Sequence, residues 1–168
     1  MIYIIDGYNV AHVKESGGIT KGDLEDKRQE LVEAVISYIA TTGDEAIIVF
    51  DSTCAETTEC HKVPNTSVTV CYSSSSMIAD IFIGKLVQEK LASTDADIRV
   101  VSADWEVQKG ALMKRVERMP PRNFLAEIKK FEKKLAFSPE KDKMRWKLEH
   151  KVDVETLRKL EEMRRGRG

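Results

Sequence analysis

Only three cysteines occur in the chain, Cys54, Cys60 and Cys71. They are odd in number and lack C-x-x-C spacing, which argues against a disulfide framework and against a zinc knuckle. A Cys54/Cys60/His61/Cys71 metal cluster would lack the closely spaced ligand pairs of structural zinc sites, so the cysteines are read as reduced thiols. No apolar run approaches the roughly 18 residues needed to cross a bilayer. The amino terminus carries neither the charged region nor the cleavage site of a secretory signal. A soluble, cytoplasmic protein is expected. No internal repeat is visible.

What is present suits one domain with a real core: 168 residues, of which 42% are hydrophobic, a size at which roughly two-thirds of the unfolded surface becomes buried. The net charge of −1 conceals an asymmetry. Residues 129–168 hold 14 Lys/Arg against 8 Asp/Glu, and the preceding residues hold 13 against 20. An acidic body with a basic arm suits a polyanionic partner; a solvated helical tail accounts for the same pattern.

Three apolar runs end in acids: Met1–Ile5 before Asp6, Ala46–Phe50 before Asp51, and Ile98–Ala103 before Asp104. In an open parallel sheet the carboxyl ends of the strands face one crevice, where ligands bind. Carboxylates gathered there repel one another and resist burial, which makes most sense around a hard divalent cation with oxygen ligands. Phosphoryl transfer or phosphodiester hydrolysis is the chemistry that follows.

Strand-like runs alternate with helix-period segments, as in βαβ units around a parallel sheet. Asp23 caps an expected helix over 24–40, stopped by Gly43. Strands are expected at 46–50, 67–72, 98–102 and 112–116, with 52–66 as a loop. A helix over 77–91 places Asp80 in its first turn. A short helix spans 105–109, and Pro120-Pro121 opens a long one with Phe124, Ile128, Phe131 and Leu135 at helical spacing. Further helices begin near Ser138 and Asp153. The division is 1–137 for the catalytic domain and 138–168 for a basic helical extension.

Four segments carry a resemblance: Asp6-Gly7-Tyr8-Asn9-Val10, Val49-Phe50-Asp51, Ala79-Asp80 followed by Ile83, and Ser102-Ala103-Asp104-Trp105-Glu106-Val107-Gln108. In order and approximate spacing they resemble the YacP-like NYN domains, relatives of the PIN nucleases. The resemblance implies a PIN-like three-layer α/β/α sandwich with a central, mainly parallel sheet. It also implies a metal-dependent endoribonuclease, with some relatives acting on mRNA at the ribosome. By position, Asp6, Asp80 and Asp104 are the implied metal acids holding Mg²⁺ or Mn²⁺. Asn9 and Asp51 support them, while Ser102 and Gln108 line the site. One departure is Gly84, where the family often has a glutamate four residues after the Ala-Asp aspartate.

Each residue has a plainer reading. Asp6-Gly7 is a common turn dipeptide, Asn9 suits a loop cap, and Asp51 an exposed strand end. Asp80 suits a helix dipole, and Asp104 a helix N-cap. Tyr8 and Trp105 read as packing, with base stacking as the alternative. His12 reads as a surface histidine, with proton transfer as the alternative. Hydrolysis of single-stranded RNA assisted by one or two ions is the function expected. A non-catalytic RNA- or ribosome-binding adaptor is the main rival. A small-molecule phosphatase is a weaker one, since Tyr8 stands where its second acid is usually needed.

Overall fold

The computed structural model describes residues 1–13, 21–51, 57–74, 79–103 and 114–136. The expected helices after Ser138 and around Trp105, and with them the 138–168 extension, lie outside the described residues.

Strand β1 (Ile2–Asp6) runs into a short helix α1 (Gly7–His12), and helix α2 (Lys21–Thr42) leads to β2 (Glu45–Asp51). A hairpin of β3 (Glu59–Lys62) and β4 (Val68–Ser73) precedes helix α3 (Ala79–Ser93). Strands β5 (Ile98–Val101) and β6 (Val116–Met119) are followed by helix α4 (Pro121–Ala136). The sheet has six strands in the order β3-β4-β2-β1-β5-β6. Every pairing is parallel except β3 with β4.

All five residues of β1 are buried, because the alternation of side chains across a strand feeds two cores at once. Tyr3 and Ile5 join Leu31, Val35, Ile39, Phe50, Phe124 and Ile128 in the core under α2 and α4. Ile2 and Ile4 join Ile47, Val49, Ile83, Leu86 and Val100 in the core under α3. The result is the expected three-layer α/β/α sandwich. Helix α2 buries Leu31, Val35 and Ile39 at helical spacing and ends where Gly43 takes a φ of +74°, a left-handed stop that glycine adopts without steric cost.

Two strands depart from expectation for one reason. Strand β3 lies within the region expected to be a loop, and β6 begins at Val116, where the expected strand ended. Both are edge strands carrying charge, with Glu59 and Lys62 on β3 and Glu117 and Arg118 on β6 exposed. An edge strand needs only one neighbour and is protected from further pairing by such residues, so an apolar run does not mark it. The β3–β4 turn places Pro64 and Asn65 (φ 58°) between Val63 and Thr66, whose N–H donates to the Val63 carbonyl at 3.2 Å. Proline followed by a positive-φ asparagine is a type II turn arrangement.

The hairpin also corrects the reading of the cysteines. Its register sets Cys60 opposite Cys71, and the two form a disulfide with Cα atoms 4.1 Å apart. Their adjacency depends on β3 and is invisible without it. On the other sheet edge, Arg99 of β5 donates to Glu117 of β6 at 2.6 Å and lies over the Tyr3 ring. The Tyr38 hydroxyl donates to Glu127 of α4 at 3.1 Å.

Candidate active site

The parallel neighbours β4, β2, β1 and β5 all present their carboxyl ends on one edge of the sheet. From β1 the chain crosses to β2 on one side, while β5 pairs on the other, so Asp6 stands at the point where strand order reverses. Ligands bind at such points because the flanking connections diverge and leave a crevice.

Asp6 is 5% exposed and caps α1. Asn9 donates its backbone N–H to Asp6 Oδ1 at 2.9 Å and its side-chain Nδ2 to Oδ2 at 2.5 Å. Asn9 therefore does not cap a loop: it lies inside a helix whose cap is Asp6. The same Nδ2 reaches Ser102 Oγ at 3.4 Å, and Ser102 is fully buried just beyond β5. Burial raises the Asp6 carboxyl above the usual aspartate value; the two Asn9 hydrogen bonds oppose that rise, and the charges of Asp80 and Asp51 add to it.

The Asp6-Gly7 pair leaves little freedom for another residue. A Cβ on Gly7 would sit 2.2 Å from Phe50 Cε1, so the absence of a side chain lets α1 turn off the strand directly over β2. Tyr8 packs edge-to-face on the same Phe50 ring.

Asp51 is exposed at the end of β2 and does structural work. Its Oδ1 accepts from Ser73 Oγ at 2.8 Å and from the backbone N–H of Ala79 at 2.8 Å, fastening the first residue of α3 to the strand edge. Asp80, the next residue, is exposed in the first turn of α3. Asp6, Asp51 and Asp80 line a single open cavity with Tyr8, Asn9, His12 and Ala79. Five of the seven sequence-predicted positions are therefore described, and Ser102 reaches the cavity through Asn9. Asp104 and Gln108 lie outside the described residues.

Among the described residues, no three His, Cys, Asp or Glu side chains are grouped tightly enough to hold an ion. The acids lining the cavity, Asp6, Asp51 and Asp80, are nevertheless oxygen donors, the chemistry of Mg²⁺ or Mn²⁺ rather than of a thiophilic metal. Sequence reasoning did not assign Ser73 or the Ala79 amide, which act through Asp51. The expected alternation over 67–72 would have brought Ser73 to the strand end beside Asp51. Tyr8 and His12 form a wall of the cavity, a placement that needed α1 to be a helix.

The family of YacP-like NYN domains matches residues 3–165. The chain belongs to that family. The protein YacP of Bacillus subtilis (strain 168), itself described as uncharacterized, is 27% identical over 135 residues, covering 80% of this chain and 78% of that protein. A crystal structure of Rae1 (YacP) from Bacillus subtilis matches with a TM-score of 0.64 at 24% identity, over 99% of this chain and 95% of that one. A mutant form of the same protein gives 0.62, over 81% of this chain and 79% of that one. These structural matches place the sandwich in the PIN-like fold. NYN domains are nuclease-like, and membership gives the chain a nuclease-like, RNA-related role. No helix among the described residues is long and apolar enough to cross a membrane.

Proposed function

We propose that the chain is a metal-dependent endoribonuclease that cleaves single-stranded RNA in the cytoplasm, with mRNA as the substrate and the ribosome as a candidate partner. One observation carries this reading. A buried carboxylate, Asp6, ends a central strand and shares a cavity with Asp51 and Asp80 in a chain of a nuclease-like family. The exposed Lys129, Lys130, Lys133 and Lys134 of α4 support a polyanionic partner.

Asp6, Asp80 and Asp104 are assigned to holding Mg²⁺ or Mn²⁺. Bound there, the ion supplies Lewis-acid chemistry, activating water and offsetting negative charge on the phosphodiester. Asn9 fixes the Asp6 carboxylate through its paired donors, and Ser102 steadies the Asn9 amide. Asp51 sets the start of α3 and so the place of Asp80, and Gln108 is assigned to the substrate. No side-chain nucleophile is needed: water attacks phosphorus and a sugar oxygen leaves.

The test is incubation with cellular RNA and ribosomes, with and without Mn²⁺, followed by mapping of new 5′ ends. Discrete, Mn²⁺-dependent ends that vanish with Asp6→Asn are expected. Identical ends from both proteins reject the reading. A non-catalytic RNA- or ribosome-binding adaptor is favoured by Gly84, one turn beyond Asp80, around which a Cβ would meet nothing within 4 Å. That alternative expects RNA binding without any new ends.

A further inference from the structure

We propose that Tyr8 and His12 form a nucleobase-stacking subsite beside the acids, so that the cavity takes the base adjoining the scissile phosphate as well as the phosphate itself. The inference rests on the nuclease reading above and specifies how its substrate is held.

Residues 8 and 12 lie one turn apart on α1, so their side chains share a face. Their ring centroids are 6.2 Å apart with planes inclined by 36°, and both rings line the cavity that holds Asp6, Asp51 and Asp80. Tyr8 is the anchored half of the pair. It packs against Phe50 at 5.4 Å and lies under the guanidinium of Arg28 at 5.9 Å. Because Arg28 is itself only 8% exposed, the platform rests on packed groups. His12 is the open half: its side chain is exposed.

A metal ion and a phosphate need oxygen donors and positive charge, and neither needs two aromatic rings in the lining of the cavity. A nucleobase does, since every base presents a flat face that stacks on aromatic rings whatever its sequence. Proton transfer is the other use for a histidine at this place. A histidine serving as acid or base is ordinarily held in one tautomer by a hydrogen bond to its second ring nitrogen. Among the described residues the contact made by the His12 ring is with Tyr8, which orients the ring without selecting a tautomer.

The deciding experiment compares wild type with His12→Ala, His12→Phe and His12→Gln on a short single-stranded RNA and on the same RNA made abasic. Cleavage kinetics with Mn²⁺ are read alongside fluorescence anisotropy in an Asp6→Asn background. With the intact RNA, His12→Ala and His12→Gln should weaken binding and raise KM by about tenfold, a typical loss for one stacked base, while kcat moves far less. His12→Phe should restore binding. On the abasic RNA the difference between wild type and His12→Ala should disappear. Equal binding by wild type and His12→Ala on intact RNA overturns the proposal. So does a difference that persists on abasic RNA, which would mark a phosphate contact, or a fall in kcat that His12→Phe fails to restore, which would mark proton transfer. Binding is read without turnover, so absent cleavage refutes the nuclease reading while the anisotropy still decides the subsite.

Discussion

The carboxylate of Asp51 accepts the backbone N–H of Ala79 at 2.8 Å across 28 residues of sequence. An acid at the end of one strand thus acts as the cap of a helix packed on the other side of a connection, and the next residue of that helix is Asp80. The spatial relation of the site's carboxylates therefore depends on a hydrogen bond rather than on strand geometry alone.

Asp51→Ala should consequently loosen the site from a distance. It leaves the Ala79 N–H and the fully buried Ser73 hydroxyl without this acceptor, and loss of a helix cap costs about 1 kcal/mol, with a comparable cost for a stranded buried hydroxyl. Thermal unfolding should show a loss of about 1–2 kcal/mol, and cleavage should fall with it. Asp51→Asn retains an acceptor oxygen and should recover most of the stability. An Asp51→Ala protein as stable as wild type would refute the capping role.

Asp6→Asn should abolish cleavage; it leaves one of the two Asn9 donors without an acceptor, so the metal-free variant should melt below wild type at acid pH and close that gap toward neutral pH. Folding raises the Asp6 pKa, chiefly by burial, so the native state prefers the protonated acid. The contribution of Asp6 to stability is therefore full below the unfolded value of 3.8 and is lost as pH rises through the higher folded value. The stability of the variant relative to wild type should accordingly rise from acid toward neutral pH. Mn²⁺ should raise the wild-type melting temperature and leave the variant's almost unmoved. Melting curves of both proteins across that range, with chelator and with Mn²⁺, provide the check; equal curves in chelator would contradict the argument.

Gly84→Glu should be tolerated and should strengthen metal binding. A Cβ there meets nothing within 4 Å, and replacing an interior helical glycine gains roughly 0.5–1 kcal/mol. The new acid lies one turn from Asp80, a like-charge spacing that costs roughly 0.2–0.5 kcal/mol, so the net effect is stabilising. Calorimetric titration with Mn²⁺ should show tighter binding than wild type. Unaltered affinity would mean that this face of α3 does not reach the ion.

The Cys60–Cys71 bridge makes its own prediction. Under non-reducing, denaturing conditions one of the three cysteines should react with a thiol reagent, and all three should do so after reduction. The bridge spans 11 residues, so its loss should cost about 2–3 kcal/mol by loop-closure entropy, felt first at edge strand β3. Three reactive thiols before reduction would rule the bridge out in solution.

The alternation of apolar runs with helix-period segments was enough to indicate βαβ units around a parallel sheet, while the cover of helices on both faces was implied by the family resemblance. The same runs, each ending in an acid, named Asp6 and Asp51 as residues of one sheet edge, because a strand buried on both sides has almost no polar residues until it emerges. Three features were settled only by tertiary structure. Strands β3 and β6 take their place from a neighbour's backbone ladder, which leaves no periodic mark on charged edge residues such as Glu59 and Arg118. The Cys60–Cys71 pairing follows from that ladder. The partners of Asp51, and the wall formed by Tyr8 and His12, follow from strand order and from the turn that Gly7 permits over Phe50. Local sequence determines which side chains must be buried; which distant residues then meet is decided when the sheet assembles, because those contacts depend on register and strand order that no short segment encodes.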